Sequence, residues 1–359
     1  MINATLHIGA GKAGSSTIQN FLTANRDAFQ KIGVIYPQDK LPNGQLGGDN
    51  HKTLAFISKN NPLSRPYLAR YRVTNLNQFG EFRKSVKTAY KAQIDRCDNK
   101  GRLILSAEQF WSELVTFEEV NNLKLVLFDL GINVDKIIFY IREQASWVNS
   151  FLHQKIREGS LKDFSLPFSY NFLFDRLNYL HTASLWQQVF FESKVDLRLF
   201  QKCSFVNNDL LTDFFFTAGL HNEFDSVNNF KQAKLREVNS SGYDLEICKA
   251  TVFWNKIKDK SEYLKAKPLM GKMFSEYLVT QIRNSTSAKS VKLITKDDVS
   301  DIRAMFSTSN NLLLASFTDS AGSFTYDNLD DYPNERPVEF NQVQYFEYLY
   351  KNCIEGNRG

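Results

Sequence analysis

The sequence predicts an α/β protein: a parallel sheet flanked by helices, followed by a largely helical C-terminal part. Three observations carry this. Short apolar runs of strand length alternate with stretches of helical periodicity over residues 4–158. The first thirty residues read as a strand, a glycine-containing turn and a helix. Beyond residue 158 one more strand candidate stands among helical stretches.

The elements follow in order. Ala4 to Gly9 (ATLHIG) reads as a short strand, and Thr17 to Phe29 as a helix with apolar Ile18, Phe21, Leu22 and Phe29. Gly33 to Pro37 (GVIYP) is a second strand. Residues 38–80 are rich in Asn, Gly, Pro and Gln and read as a long irregular insertion. Phe82 to Cys97 is a helix, Arg102 to Ser106 (RLILS) a strand, and Phe117 to Leu130 a helix ended by Gly131. Val134 to Ile141 (VDKIIFYI) is a buried strand, followed by a helix from Gln144 to Glu158. Residues 170–192 are helical and Val195 to Phe200 is a strand. Helices are expected over 208–219, 243–260, 270–283 and 297–316, and the acidic, turn-rich DNLDDYPNERP is a loop.

Composition narrows the function classes. The chain has 359 residues, 43% of them apolar and 23% charged, as a globular protein does; 30 are Phe, which points to a bulky aromatic core. The length fits about two domains or one large one, and the absence of a clear linker favours one α/β domain with helical additions. With 44 basic and 39 acidic residues the net charge is +5, suited to handling anions and too small to argue for nucleic acid. Lys256, Lys258 and Lys260 read as a solvated helix face. Cys97, Cys203, Cys248 and Cys353 form no C-x-x-C pair, and His7, His51, His153, His181 and His221 form no metal spacing, so neither a disulfide framework nor a zinc site is expected. No apolar run approaches a membrane span, no secretory leader is recognisable, and a cytoplasmic location is expected.

Two motifs carry chemistry. Gly9-Ala10-Gly11-Lys12-Ala13-Gly14-Ser15-Ser16-Thr17 stands between the first strand and helix. Small residues let the backbone approach an anion, towards which successive N–H groups and a helix N-terminus then point. Lys12 adds a charge, and Ser15, Ser16 and Thr17 add hydroxyls. The nucleotide loop G-x-x-x-x-G-K-[ST] is not matched, because Ala13 follows Lys12 and Leu stands at position 6. An ordinary βα turn, its helix capped by Ser15, is the bland alternative. The second motif is Phe139-Tyr140-Ile141-Arg142, with Ser150 eight residues beyond Arg142. Arg142 ends a buried strand, where open α/β sheets bind ligands, and the interval lets Arg and Ser converge on one anion. A capping Arg and a solvated Ser are the alternatives.

Taken together, the motifs resemble those of sulfotransferases. HIGAGKAGSSTIQ is similar to that superfamily's 5′-phosphosulfate loop, and FYIREQASWVNSFLHQ to its 3′-phosphate motif. LSAEQF, LRLFQKCSFVNNDLLTDFFFTAGL, EVNSSGYDLEI and IRAMFSTSNNLLLASF resemble the bacterial carbohydrate sulfotransferase-like group. The likeness thus covers most of the chain, and the first two motifs are its specific part. Gly11 replaces the usual Pro before Lys, and Ala13, Ser15 and Ser16 stand where Thr is usual.

The resemblance implies a P-loop NTPase-like sheet within a single domain over residues 1–359, its core to about 220 and helical additions over about 221–359. It implies 3′-phosphoadenosine 5′-phosphosulfate (PAPS) as donor, no metal, and a carbohydrate or glycolipid hydroxyl as acceptor. Gly11, Lys12, Ala13, Gly14, Ser15, Ser16 and Thr17 would hold the phosphosulfate, Arg142 and Ser150 the 3′-phosphate, and Lys12 would also stabilise the leaving oxygen. The acceptor needs a general base, which the family supplies as His or Glu. His51, in the insertion segment GGDNHKTLAF, ranks slightly above Glu108, which follows the RLILS strand; the bland readings are an exposed loop His or a helix-start residue for His51 and a helix-start carboxylate for Glu108. His153 and Gln154, one turn beyond Ser150, are placed to line the donor pocket, with a packed or solvated face as the bland reading; His7 reads as core; Trp111, Trp147, Trp186 and Trp254 are candidates to stack on adenine or sugar, with core packing as the bland reading of each. Two rivals stay open: an ATP- and Mg²⁺-dependent P-loop phosphotransferase, and a non-catalytic nucleotide-binding protein of the same fold.

Overall fold

The structure is a computed structural model describing residues 1–40, 46–64, 66–95, 101–167, 169–226, 245–257, 291–318 and 323–349. The helix expected over 270–283 lies outside the described residues.

Strand β1 (Ile2–Gly9) is followed by helices α1 (Ser15–Ala24) and α2 (Arg26–Lys31) and strand β2 (Val34–Ile35). The insertion adds a hairpin of β3 (Asp39–Lys40) and β4 (Leu46–Gly48), then α3 (Lys52–Ile57). Helix α4 (Leu76–Ile94), strand β5 (Arg102–Ser106), helices α5 (Glu108–Glu113) and α6 (Phe117–Asp129) and strand β6 (Ile132–Ile141) come next. Helices α7 (Gln144–Arg157), α8 (Tyr170–Leu177) and α9 (Tyr179–Val189) lead to strand β7 (Lys194–Leu199). Helices α10 (Leu210–Thr217), α11 (His221–Ser226) and α12 (Leu245–Ile257), and helices over Lys296–Phe317 and Gln342–Leu349, complete the described α-helices.

Five strands form one parallel sheet in the order β2-β5-β1-β6-β7. The expected α/β class is thus observed. β1 is buried from Ala4 to Gly9, β5 from Leu103 to Ser106, and β6 from Ile137 to Ile141. Burial on both faces makes parallel strands read as unbroken apolar runs. The chain leaves β1 for β2 and β5 on one side, then crosses to β6 and β7 on the other. This reversal is a topological switch point at β1, and open α/β sheets bind ligands at the carboxyl ends of strands there.

Where observed elements differ from expectation, a side chain accounts for it. The first helix breaks at Asn25, whose Nδ2 donates to the Phe21 carbonyl (3.0 Å). The 170–192 helix breaks at Asn178, which caps α9 by accepting from the His181 N–H (3.1 Å). Helix α4 begins six residues before Phe82, because Asn75 accepts from the Gln78 N–H (2.9 Å). Buried side chains order the insertion: the Asp39 carboxylate accepts from the Thr53 hydroxyl and, from α4, the Tyr90 hydroxyl, the latter at 3.2 Å.

The chain divides into two compact units. The first comprises 1–142, 176–235 and 307–325 and contains the sheet. The second comprises 143–175, 236–306 and 326–359. Its described core packs Ala250, Phe253 and Ile257 of α12 against Phe340 and Tyr345, and Asn255 ties α12 to the carbonyls of Ile156 (2.9 Å) and Leu161 (3.2 Å).

Candidate functional site

The loop from Ala10 to Gly14 lies at the carboxyl end of β1, at the switch point of the sheet. Its floor is β6: the Ala10 N–H donates to the Tyr140 carbonyl (2.5 Å). The Tyr140 hydroxyl donates to Asp213 (2.6 Å), which Arg198 holds from the neighbouring strand (3.1 Å). Lys12 takes φ +65°, a left-handed conformation costly for a non-glycine residue. Gly14 takes φ +83° and stands at the N-cap of α1; a Cβ there would lie 2.6 Å from Leu210 Cδ2 and 2.7 Å from Phe200 Cε2. Conformation and space both demand glycine.

The hydroxyls divide. Ser15 is buried and its Oγ donates back to the Ala10 carbonyl (3.1 Å), so it staples the loop rather than facing a ligand. Ser16 is exposed and Thr17 half-buried, and neither hydroxyl has a partner among the described residues. The backbone N–H groups of Gly14, Ser15 and Ser16 have no acceptor among the described residues. Amides left without an acceptor at the start of a ten-residue helix can receive an anion.

Glu108 begins α5, just past the end of β5, and its Oε2 lies 3.4 Å from where a Gly11 Cβ would be. Glycine at 11 lets loop and carboxylate come together. Burial pushes the Glu108 carboxyl above its usual range, opposed by the positive charges of Lys12 and Lys52. Arg142 follows β6, and its Nη1 donates to the Lys12 carbonyl at 3.5 Å. The three sequence candidates Lys12, Glu108 and Arg142 therefore meet at one sheet edge.

His51 behaves otherwise. It is fully buried, which pulls its pKa down to about 4. Its Nδ1 accepts the Ser106 N–H (2.9 Å) and its Nε2 donates to the Pro37 carbonyl (3.0 Å). Both ring nitrogens are committed to backbone, which fastens the insertion to the end of β5. This arrangement argues against the base role ranked first for His51 and favours Glu108.

No family model, curated protein or solved structure matches the chain.

The remaining candidates are placed as follows. Ser150 lies half-buried on α7 in the second unit. His153, on the same helix, is buried; its Nε2 donates to the Val291 carbonyl (2.9 Å), and burial lowers its pKa to about 4. Gln154 donates to Glu158. His7 is buried, with Nδ1 bonded to Ser106 Oγ (2.7 Å), which also accepts from Gln19 of α1 (3.1 Å). Trp111, Trp147 and Trp186 are buried, and Trp254 packs on the α12 core. Lys256 pairs with Glu339 (2.6 Å), while Lys258 and Lys260 lie outside the described residues. Among the described residues, no three His, Cys, Asp or Glu side chains group as metal ligands, and no helix is long and apolar enough to cross a membrane.

The sequence named Trp111 without its place beside the loop, and gave Lys52 no role. Trp111 packs against Gly11 and Gly9 on one side and lies under the Arg176 guanidinium (5.3 Å). It walls the loop and offers no open stacking face. Lys52 reaches the electrostatic neighbourhood of Glu108 from the insertion. Its only sequence signal is its place beside His51.

Proposed function

We propose that the chain is a sulfotransferase on a P-loop-like scaffold, moving a sulfuryl group from PAPS to a carbohydrate or glycolipid hydroxyl. One observation supports this above the others: an anion cradle with unfilled amides at Gly14, Ser15 and Ser16, flanked by the Lys12 cation and the Glu108 carboxylate. Group transfer between an anionic donor and a hydroxyl needs this set: a cradle, a cation for the leaving oxygen and a base for the attacking one.

In this reading the amides of Gly14, Ser15 and Ser16, with the Ser16 and Thr17 hydroxyls, hold the donor's phosphosulfate. Gly11 and Ala13 keep the backbone open to it, and Ser15 stiffens the loop. Glu108, ionised, accepts the acceptor's proton as its oxygen attacks sulfur. The bond from sulfur to the phosphate oxygen breaks, and 3′-phosphoadenosine 5′-phosphate leaves with the electron pair. Lys12 stabilises the negative charge on that oxygen. Arg142 offers a planar fork of donors to the 3′-phosphate; the part given to Ser150 rests on the motif resemblance alone. A magnesium-dependent phosphotransferase would need a hydroxyl directly after the loop lysine, and Ala13 supplies none.

Calorimetric titration tests the reading. 3′-Phosphoadenosine 5′-phosphate should bind about tenfold or more tightly than ADP or ATP with Mg²⁺, because only it offers Arg142 a partner, and Arg142→Ala should erase that margin. Preference for ATP with Mg²⁺, or no nucleotide binding, would overturn it.

A further inference from the structure

Lys52 has no part in the reaction above, and packing does not explain it. It follows His51, whose ring fixes this stretch of chain to the end of β5. Its backbone N–H is held by Asn50 Oδ1 (3.4 Å). Its side chain runs past Gly48, where a Cβ would stand 3.3 Å from Nζ and 3.9 Å from Cε. Gly48, at φ +135°, leaves the lane in which Lys52 lies. The residue is half-buried, yet its ammonium makes no hydrogen bond or ion pair with any described residue.

Other part-buried lysines of the same unit are satisfied. Lys59 pairs with Glu119 (2.7 Å) and donates to the Glu113 carbonyl (2.5 Å); Lys136 donates to the Thr217 carbonyl (2.6 Å); Lys124 donates to the Val189 carbonyl (2.9 Å). A partly desolvated ammonium without a partner is unfavourable, and a ligand anion would relieve it.

The sheet order says which ligand. Arg142 follows β6, on one side of β1; Glu108 follows β5 and Lys52 is tied to the end of β5, on the other side. The donor's anionic groups are served by the loop and Arg142. The base and the unpaired ammonium share the opposite side, where the acceptor must enter. We propose that Lys52 binds an anionic group of the acceptor, so that the acceptor is an acidic sugar carrying a carboxylate, sulfate ester or phosphate ester near the reacting hydroxyl. This rests on the sulfotransferase reading.

The test is calorimetry on the full chain saturated with 3′-phosphoadenosine 5′-phosphate. Glucuronate, glucose 6-sulfate, glucose 6-phosphate and glucose are titrated into wild type, Lys52→Met and Lys52→Arg, after their melting curves are shown to agree. Wild type should bind at least one charged sugar about tenfold or more tightly than glucose, as a charge-assisted hydrogen bond allows. Lys52→Met should lose that preference, Lys52→Arg should keep it, and affinity for the nucleotide should stay unchanged in both. The charged sugar that shows the largest margin names the anion. Equal binding of charged and neutral sugars by wild type, or a preference that survives Lys52→Met, overturns the inference while leaving the donor site standing. Loss of nucleotide affinity in Lys52→Met assigns the ammonium to the donor and overturns it too. Failure of wild type to bind the nucleotide at all removes the sulfotransferase reading, and this inference with it.

Discussion

Replacing Gly14 with alanine puts two separate strains on the loop, and a second glycine lets them be told apart. At φ +83° an alanine costs about 1–2 kcal/mol from the left-handed backbone alone. Its Cβ would also stand 2.6 Å from Leu210 Cδ2 and 2.7 Å from Phe200 Cε2, so these half-buried side chains must shift, at about 1–3 kcal/mol. Gly33 has nearly the same φ, +81°, with nothing within 4 Å of its absent Cβ. Gly33→Ala therefore carries only the backbone cost. Urea unfolding of both variants should place Gly14→Ala about 1–3 kcal/mol below Gly33→Ala. Affinity for 3′-phosphoadenosine 5′-phosphate should fall in Gly14→Ala and hold in Gly33→Ala, since the displaced backbone carries the donor's amides. Equal stability of the two variants would refute the claim that Phe200 and Leu210 clamp the loop from below.

Three further outcomes are expected. Glu108→Gln should lower kcat by about 10²–10⁴-fold with donor affinity unchanged, and should abolish the rise of wild-type activity with pH through the elevated carboxyl pKa; a variant as active as wild type would remove the base. His51→Ala should destabilise the fold by about 2–4 kcal/mol, because it orphans the Ser106 N–H and the Pro37 carbonyl, while the folded enzyme keeps kcat within about tenfold; unchanged melting with kcat collapsed would return the base to His51. Burial lifts Asp39 from its ordinary 3.8 to about 6, against the lowering hydrogen bonds of Thr53 and Tyr90. The folded chain thus holds this proton more tightly than the unfolded one: the group's stabilisation is full below about pH 4 and lost as pH rises through about 6, an amount of about 3 kcal/mol. Asp39→Asn should gain about that much on wild type between pH 4 and pH 7 in urea titrations, and parallel pH curves would contradict the burial argument.

The sheet was legible because its strands are buried on both faces. RLILS is observed as Arg102–Ser106 to the residue, and the apolar end of β6 carries Arg142 to the sheet edge that a strand-end arginine must reach. The loop was legible from its glycines and its place between strand and helix. The insertion was not, because its order comes from partners far along the chain: His51 meets Ser106 across 55 residues, and Asp39 meets Tyr90 across 51. His51 in its polar stretch read as an exposed loop residue or a helix start; it stands at the N-cap of α3 and is buried. Ser15 looked like a ligand for an anion and turned inward, a choice made by a carbonyl only five residues away that no motif encodes. Helix α5 is six residues long, too short for periodicity to show, so the sequence marked only its start at Glu108. Lys52 went unremarked because a sequence shows a lysine's charge and not whether anything pairs with it.

The central claim is that the amides at the start of α1 receive the donor's anionic end. Amide-resolved NMR of ¹⁵N-labelled protein titrated with 3′-phosphoadenosine 5′-phosphate tests it most directly. The account predicts saturable shifts of the Gly14, Ser15 and Ser16 amide resonances, of the size expected for new hydrogen bonds to an oxyanion, with those of Gly33 and Gly219 unmoved. Saturable binding that leaves these three amides in place, or no binding, would contradict it.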